Sequence, residues 1–130
     1  MSIKKMEYDN WINSLSNDTE IENPTWEQVE KAIKSLDADQ HTMVILTSDT
    51  QSLIIGGGQG QYIITVLFGD DNHVSARRKS PIDGDIELNI GGQTGFYSKR
   101  LVLDFALAIH VVMIFWQKEI LDPNLEWSFP

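Results

Sequence analysis

The sequence predicts an α+β fold: an antiparallel sheet of about five to six strands, with a helix in the N-terminal half and a long C-terminal helix packed on one face. Three observations predict it. Trp26, Val29, Ile33 and Leu36 recur at helical spacing. Short β-branched runs separated by glycines fill the middle of the chain. A nearly unbroken apolar segment, residues 101–116, follows them.

The first 22 residues are ambiguous. Tyr8, Trp11, Ile12 and Leu15 fit i, i+3, i+4, i+7 spacing, yet Met6 and Tyr8 also fit one face of a strand. Ser16-Asn17-Asp18-Thr19 is polar and ends this segment. The first helix is expected to start at Asn23-Pro24, with Asn23 as cap and Pro24 in the first turn, where its missing N–H costs nothing. Glu27–Lys31 and Glu30–Lys34 would form i, i+4 pairs on its wet side, and Asp37-Ala38-Asp39 would end it.

Thr42–Thr47, Ser52–Ile55 and Gln61–Phe68 read as strands. The last divides into one face with Ile64, Val66 and Phe68 and another with Ile63, Thr65 and Leu67. Gly69-Asp70-Asp71-Asn72 is turn chemistry, so His73–Arg78 should pair back as a hairpin arm. Ile86, Leu88 and Ile90 alternate with Asp85, Glu87 and Asn89, a strand with one buried and one wet face. Gly91-Gly92-Gln93-Thr94-Gly95 is expected to turn the chain into Phe96-Tyr97, with Ser98 capping the long helix. The tail around Trp127 can add a last edge segment.

At 130 residues the chain fits a single domain over 1–130. The absence of cysteine excludes a disulfide framework, thiolate zinc sites and a cysteine nucleophile, and it sits most easily with a reducing cytoplasm. Met1-Ser2-Ile3-Lys4-Lys5 leads into polar residues rather than the apolar core of a secretory signal. The 101–116 segment falls short of the roughly 20 residues that cross a bilayer, and Asp104 and His110 interrupt it, so a core helix is expected and no membrane.

Ten basic against nineteen acidic residues leave a net charge of −9. Nucleic acid is a poor partner for such a surface, because phosphate binding draws on Lys and Arg. A basic protein is a good one. The same charge also serves plain solubility.

No chemistry-bearing constellation is assignable. Gly56–Gly60 lacks the Gly-Lys-Ser/Thr ending of a phosphate loop and precedes a strand. The glycines at 91–95 have no lysine placed for a phosphate. His41, His73 and His110 fall on different elements, and Asp104 and His110, six apart, on different faces, so no metal site is expected. His110 is expected to be a partly buried core histidine with one hydrogen bond. No serine elbow exists. No catalytic, cofactor-binding or metal residue is therefore assigned, and the protein is expected not to be an enzyme. The remaining candidates form an acidic patch for a partner: Asp70 and Asp71 at a hairpin tip, with Asp83, Asp85 and Glu87 near them. Each of these also suits a solvated loop or strand face.

Four stretches carry a resemblance. Ile21-Glu22-Asn23-Pro24-Thr25-Trp26-Glu27-Gln28-Val29-Glu30 with Ser35-Leu36-Asp37, then Ile54-Ile55-Gly56-Gly57-Gly58, then Gly91-Gly92-Gln93, then Leu121-Asp122-Pro123-Asn124-Leu125-Glu126-Trp127 occur in order over roughly 21–127. Together they resemble the Imm1 family, immunity proteins of bacterial polymorphic toxin systems. The resemblance places an Imm1-like core at 23–127 after a variable segment, 1–22. It implies a cytoplasmic bacterial protein that binds a cognate toxin domain one to one, without a cofactor. Family toxins include nucleic-acid-directed enzymes such as deaminases and nucleases. Trp26 and Trp127 are expected to pack rather than bind. One departure is the apolar run Val111-Val112-Met113-Ile114-Phe115-Trp116, more apolar than the family's last helix. It motivates an alternative: a structural or adaptor subunit that self-associates through that helix.

Overall fold

A computed structural model describes residues 3–69 and 72–128. It is an α+β fold whose main sheet has seven strands in the order β11-β8-β7-β6-β5-β1-β4, every neighbouring pair antiparallel. The strands are β1 (Lys5–Tyr8), β4 (Thr19–Glu22), β5 (Met43–Thr47), β6 (Gln51–Gly58), β7 (Gln61–Phe68), β8 (Asn72–Arg77) and β11 (Glu126–Ser128). Two hairpins stand outside this sheet: β2 (Trp11–Ile12) with β3 (Leu15–Ser16), and β9 (Asp85–Ile90) with β10 (Gln93–Ser98). The helices are α1 (Trp26–Lys34) and α2 (Phe105–Lys118).

The sheet's register explains the core. Ile21, Met6, Leu46, Leu53, Val66 and Val74 line up strand by strand across six strands. Tyr8, Val44, Ile55 and Ile64 form the next row. Because side chains alternate along a strand, both rows point to one face. Val29 and Ile33 of α1, and Val111, Val112 and Phe115 of α2, join them in one apolar cluster. The two helices also meet through Trp26 and Trp116, whose rings lie 6.0 Å apart.

Several expectations are corrected. The N-terminal segment, which its spacing left open between helix and strand, is strand and hairpin, because Met6 and Tyr8 pair with β5 and bury one face. Thr25, not Asn23, caps α1: its hydroxyl accepts from Gln28 N–H, and Gln28 returns a bond to Thr25 N–H. Asn23 sits at φ +50, outside the helix. Glu30–Lys34 is paired at 3.9 Å, but no ion pair joins Glu27 to Lys31. Asp104, not Ser98, caps α2, accepting from Leu107 N–H at 2.8 Å; Ser98 caps a 3-10 turn over Lys99–Leu101. Gln93–Ser98 is a strand, where a turn over 91–95 leading through Phe96-Tyr97 to the helix was expected, and β9 pairs with it instead of joining the main sheet. The helix arrangement also differs in detail from the one expected. A 3-10 turn intervenes before α2, and the cover on the opposite face of the sheet is a β-hairpin.

That hairpin lies close to the sheet because Gly56 lets it. A Cβ there would come within 2.4 Å of Ile90 Cγ2. Leu88 and Ile63, both nearly solvent-free, lie on this side, apart from the main cluster.

Candidate interaction surface on the outer hairpin

Alternation along β9 sends Ile86, Leu88 and Ile90 inward and Asp85, Glu87 and Asn89 outward. The register with β10 sets Asp85 opposite Ser98, Glu87 opposite Phe96 and Asn89 opposite Thr94. The outward face of the hairpin is therefore two carboxylates, two hydroxyls, an amide and a phenylalanine. Phe96 is 74% exposed, far more than an unpartnered aromatic ring favours. Asp85 and Glu87 are exposed, and neither is in an ion pair among the described residues.

Beside this face lies a cleft of about 340 Å³ lined by Ala38, Gly58, Gln59, Gln61, Glu87, Leu88, Asn89 and Thr94. Its polar lining holds one carboxylate and no cation. Asn89 Oδ1 is buried and has no hydrogen-bond partner among the described residues. The opposite wall is braced by Asp37, whose Oδ1 accepts the N–H groups of Asp39, Gln40 and His41 at 2.9–3.0 Å. Burial pushes the Asp37 carboxyl upward, but these three N–H donors and the neighbouring imidazole outweigh it and hold it below the usual value.

The hairpin's turn is held from below by a polar cluster that sequence reasoning did not single out. Asp9 is 4% exposed and Thr42 is fully buried. The Asp9 carboxylate accepts from Thr42 N–H at 2.7 Å, Met43 N–H at 3.1 Å, Trp11 Nε1 at 2.8 Å and the Thr42 hydroxyl. Thr42 Oγ1 in turn accepts from Gly92 N–H at 3.1 Å, and the Trp11 ring packs so tightly on Gly92 that a Cβ would come within 2.1 Å of it. Four donors are what a buried carboxylate without a cation requires. The available hint was an acid amid Met6, Tyr8, Trp11 and Ile12, but nothing local says that its partners Thr42 and Met43 lie more than thirty residues away.

Of the expected patch, Asp85 and Glu87 share the outward face of β9, and Asp83 is exposed in the loop before it. Asp70 and Asp71 lie outside the described residues. His110 differs from the expected core residue. Its side chain is 53% exposed, and its Nδ1 lies 3.0 Å from the fully buried carboxylate of Asp122. Asp122 also accepts from Asn124 N–H, and its carbonyl from Trp127 Nε1, so the residue ties the tail to α2. His41 Nδ1 is spent on the Asp9 carbonyl at 2.8 Å. Among the described residues no three His, Asp or Glu side chains are grouped to hold a metal.

A second groove of about 320 Å³ runs between α1 and β1, with Met6, Ile21, Ala32, Leu36 and Val44 as its apolar part and Tyr8, Lys31 and His41 as its polar part. No helix among the described residues is long and apolar enough to cross a membrane. Compared with protein-family models, with curated proteins and with solved structures, the chain matches none.

Proposed function

We propose that this protein is an immunity protein of the Imm1 kind, which neutralises a cognate bacterial toxin domain by direct, non-covalent, one-to-one binding in the producer's cytoplasm. The observation that carries the reading is the outward face of β9–β10, where exposed Phe96 stands opposite the carboxylate of Glu87, which is in no ion pair among the described residues. Two of the four stretches that resemble the family lie at this hairpin: Gly56 sits beneath Ile90, and Gly92 against Trp11. A toxin acting on nucleic acid needs a basic surface to hold phosphate, and an acidic inhibitor meets it with complementary charge. Catalysis by this chain forms no part of the reading. Co-expression with the toxin encoded immediately upstream tests it: cells should survive, and the two chains should co-purify one to one. No rescue and no complex would sink it.

A second reading, a subunit self-associating through α2, is favoured by one observation. Ile109, Met113, Ile114 and Trp116 are only partly covered, and no Asp, Glu, Lys or Arg lies between Asp104 and Lys118. In a chain of net charge −9 an uncharged stretch of this kind keeps like-charge repulsion between copies low. Light scattering at micromolar concentration decides it, since a strict monomer excludes this reading.

A further inference from the structure

We infer that the cleft beside β9 and the Phe96 face together form a receptor for an arginine side chain carried by a basic protein. The inference rests on the immunity reading and names the chemistry by which the partner is held. The cleft is large enough for a side chain, and its walls offer the Glu87 carboxylate, the amides of Gln59, Gln61 and Asn89, and the Thr94 hydroxyl, with no cation among them. Asn89 lines the cleft, and its Oδ1, buried and without a partner among the described residues, is an acceptor in want of a donor. A planar guanidinium supplies several N–H donors in a fixed fork, and it stacks on aromatic rings, which a lysine ammonium does less well. Phe96, opposite Glu87 in the register, is the exposed ring available for such stacking.

Two of the chain's three arginines, Arg78 and Arg100, are engaged elsewhere. Arg78 Nε donates to Val102 O, and Arg100 donates to Arg78 O and pairs with Glu126 at 2.7 Å. A second copy carries the same net charge of −9 and is therefore a poor occupant, and a polyanion is repelled. A basic protein is the occupant that the charge and the donor count fit.

The test has two arms. In the first, the 15N-labelled full chain is titrated with N-acetyl-arginine methylamide, with the lysine analogue as control. Amide shifts should concentrate at Gln59, Glu87, Asn89, Thr94 and Phe96, exceed those from lysine, and fall at least about threefold in Glu87→Gln. Shifts absent, or spread over the whole acidic surface, overturn the receptor. In the second, the purified upstream toxin domain is bound to the wild type, Phe96→Ala, Glu87→Lys and the distant control Gln117→Ala. The first two variants should lose about tenfold or more in affinity and the control should not. Unchanged affinity in both overturns the docking surface while leaving the immunity reading intact. If the wild type itself does not bind, the immunity reading fails, and the arginine titration still decides the cleft.

Discussion

The carboxylate of Asp9 accepts the backbone N–H of Thr42 at 2.7 Å, and Thr42 Oγ1, which donates to the same carboxylate, accepts the N–H of Gly92 at 3.1 Å. Through these two buried residues, β1, β5 and the β9–β10 turn are held in one network, and Trp11 adds the β2–β3 hairpin to it. The proposed binding face thus depends on an acid that touches no partner.

Removing that acid strands its donors. Asp9→Ala leaves Trp11 Nε1 and the N–H groups of Thr42 and Met43 without their acceptor, at a cost of about 3 kcal/mol or more, since each buried unmade bond costs about 1–3 kcal/mol. Urea unfolding measures it. A loss below about 1 kcal/mol would mean that water replaces the carboxylate.

Gly92 is constrained twice, by φ +79 and by the Trp11 ring. Gly92→Ala should destabilise by about 1–3 kcal/mol, through backbone strain together with displacement of the indole. Tryptophan fluorescence should shift with it. An unchanged spectrum and midpoint would show that the turn relaxes freely.

Phe96 and Phe115 should behave oppositely. Phe115 is 1% exposed in the main cluster, so Phe115→Ala should cost about 3–5 kcal/mol. Phe96→Ala touches no core and should change stability by less than about 0.5 kcal/mol while weakening partner binding. A large stability loss at Phe96 would reassign that ring from recognition to folding. Thermal melts of the two variants decide between them.

Acid should weaken the Asp37 brace. The folded carboxyl lies below its ordinary value, so it contributes stability that is fully present above about pH 3.9, the unfolded value, and is lost as pH falls through the folded value. Asp37→Asn should therefore be less stable than wild type near neutrality, and the gap should narrow at the acid end. Urea midpoints across the acid range check it: a gap independent of pH would assign the role to hydrogen bonding alone.

What the sequence determined on its own is whatever repeats within a few residues. The α1 stripe, the two faces of β7, and the wet and dry faces of β9 follow from local periods of 3.6 and 2, because burial acts on each turn and each pleat separately. Asp85 and Glu87 were therefore legible as outward-facing acids before any fold was known. Only the tertiary structure decided which strands meet. The strand Gln93–Ser98 stayed hidden behind a turn read over 91–95, because an exposed hairpin arm has little buried period, and with it went the pairing that sets Phe96 against Glu87. The departure of β9 from the main sheet turns on the space above Gly56, and the burial of Asp9 on donors from residues 42 and 43. Such pairings are contacts between distant parts of the chain, whose free energy exists only once both parts are in place.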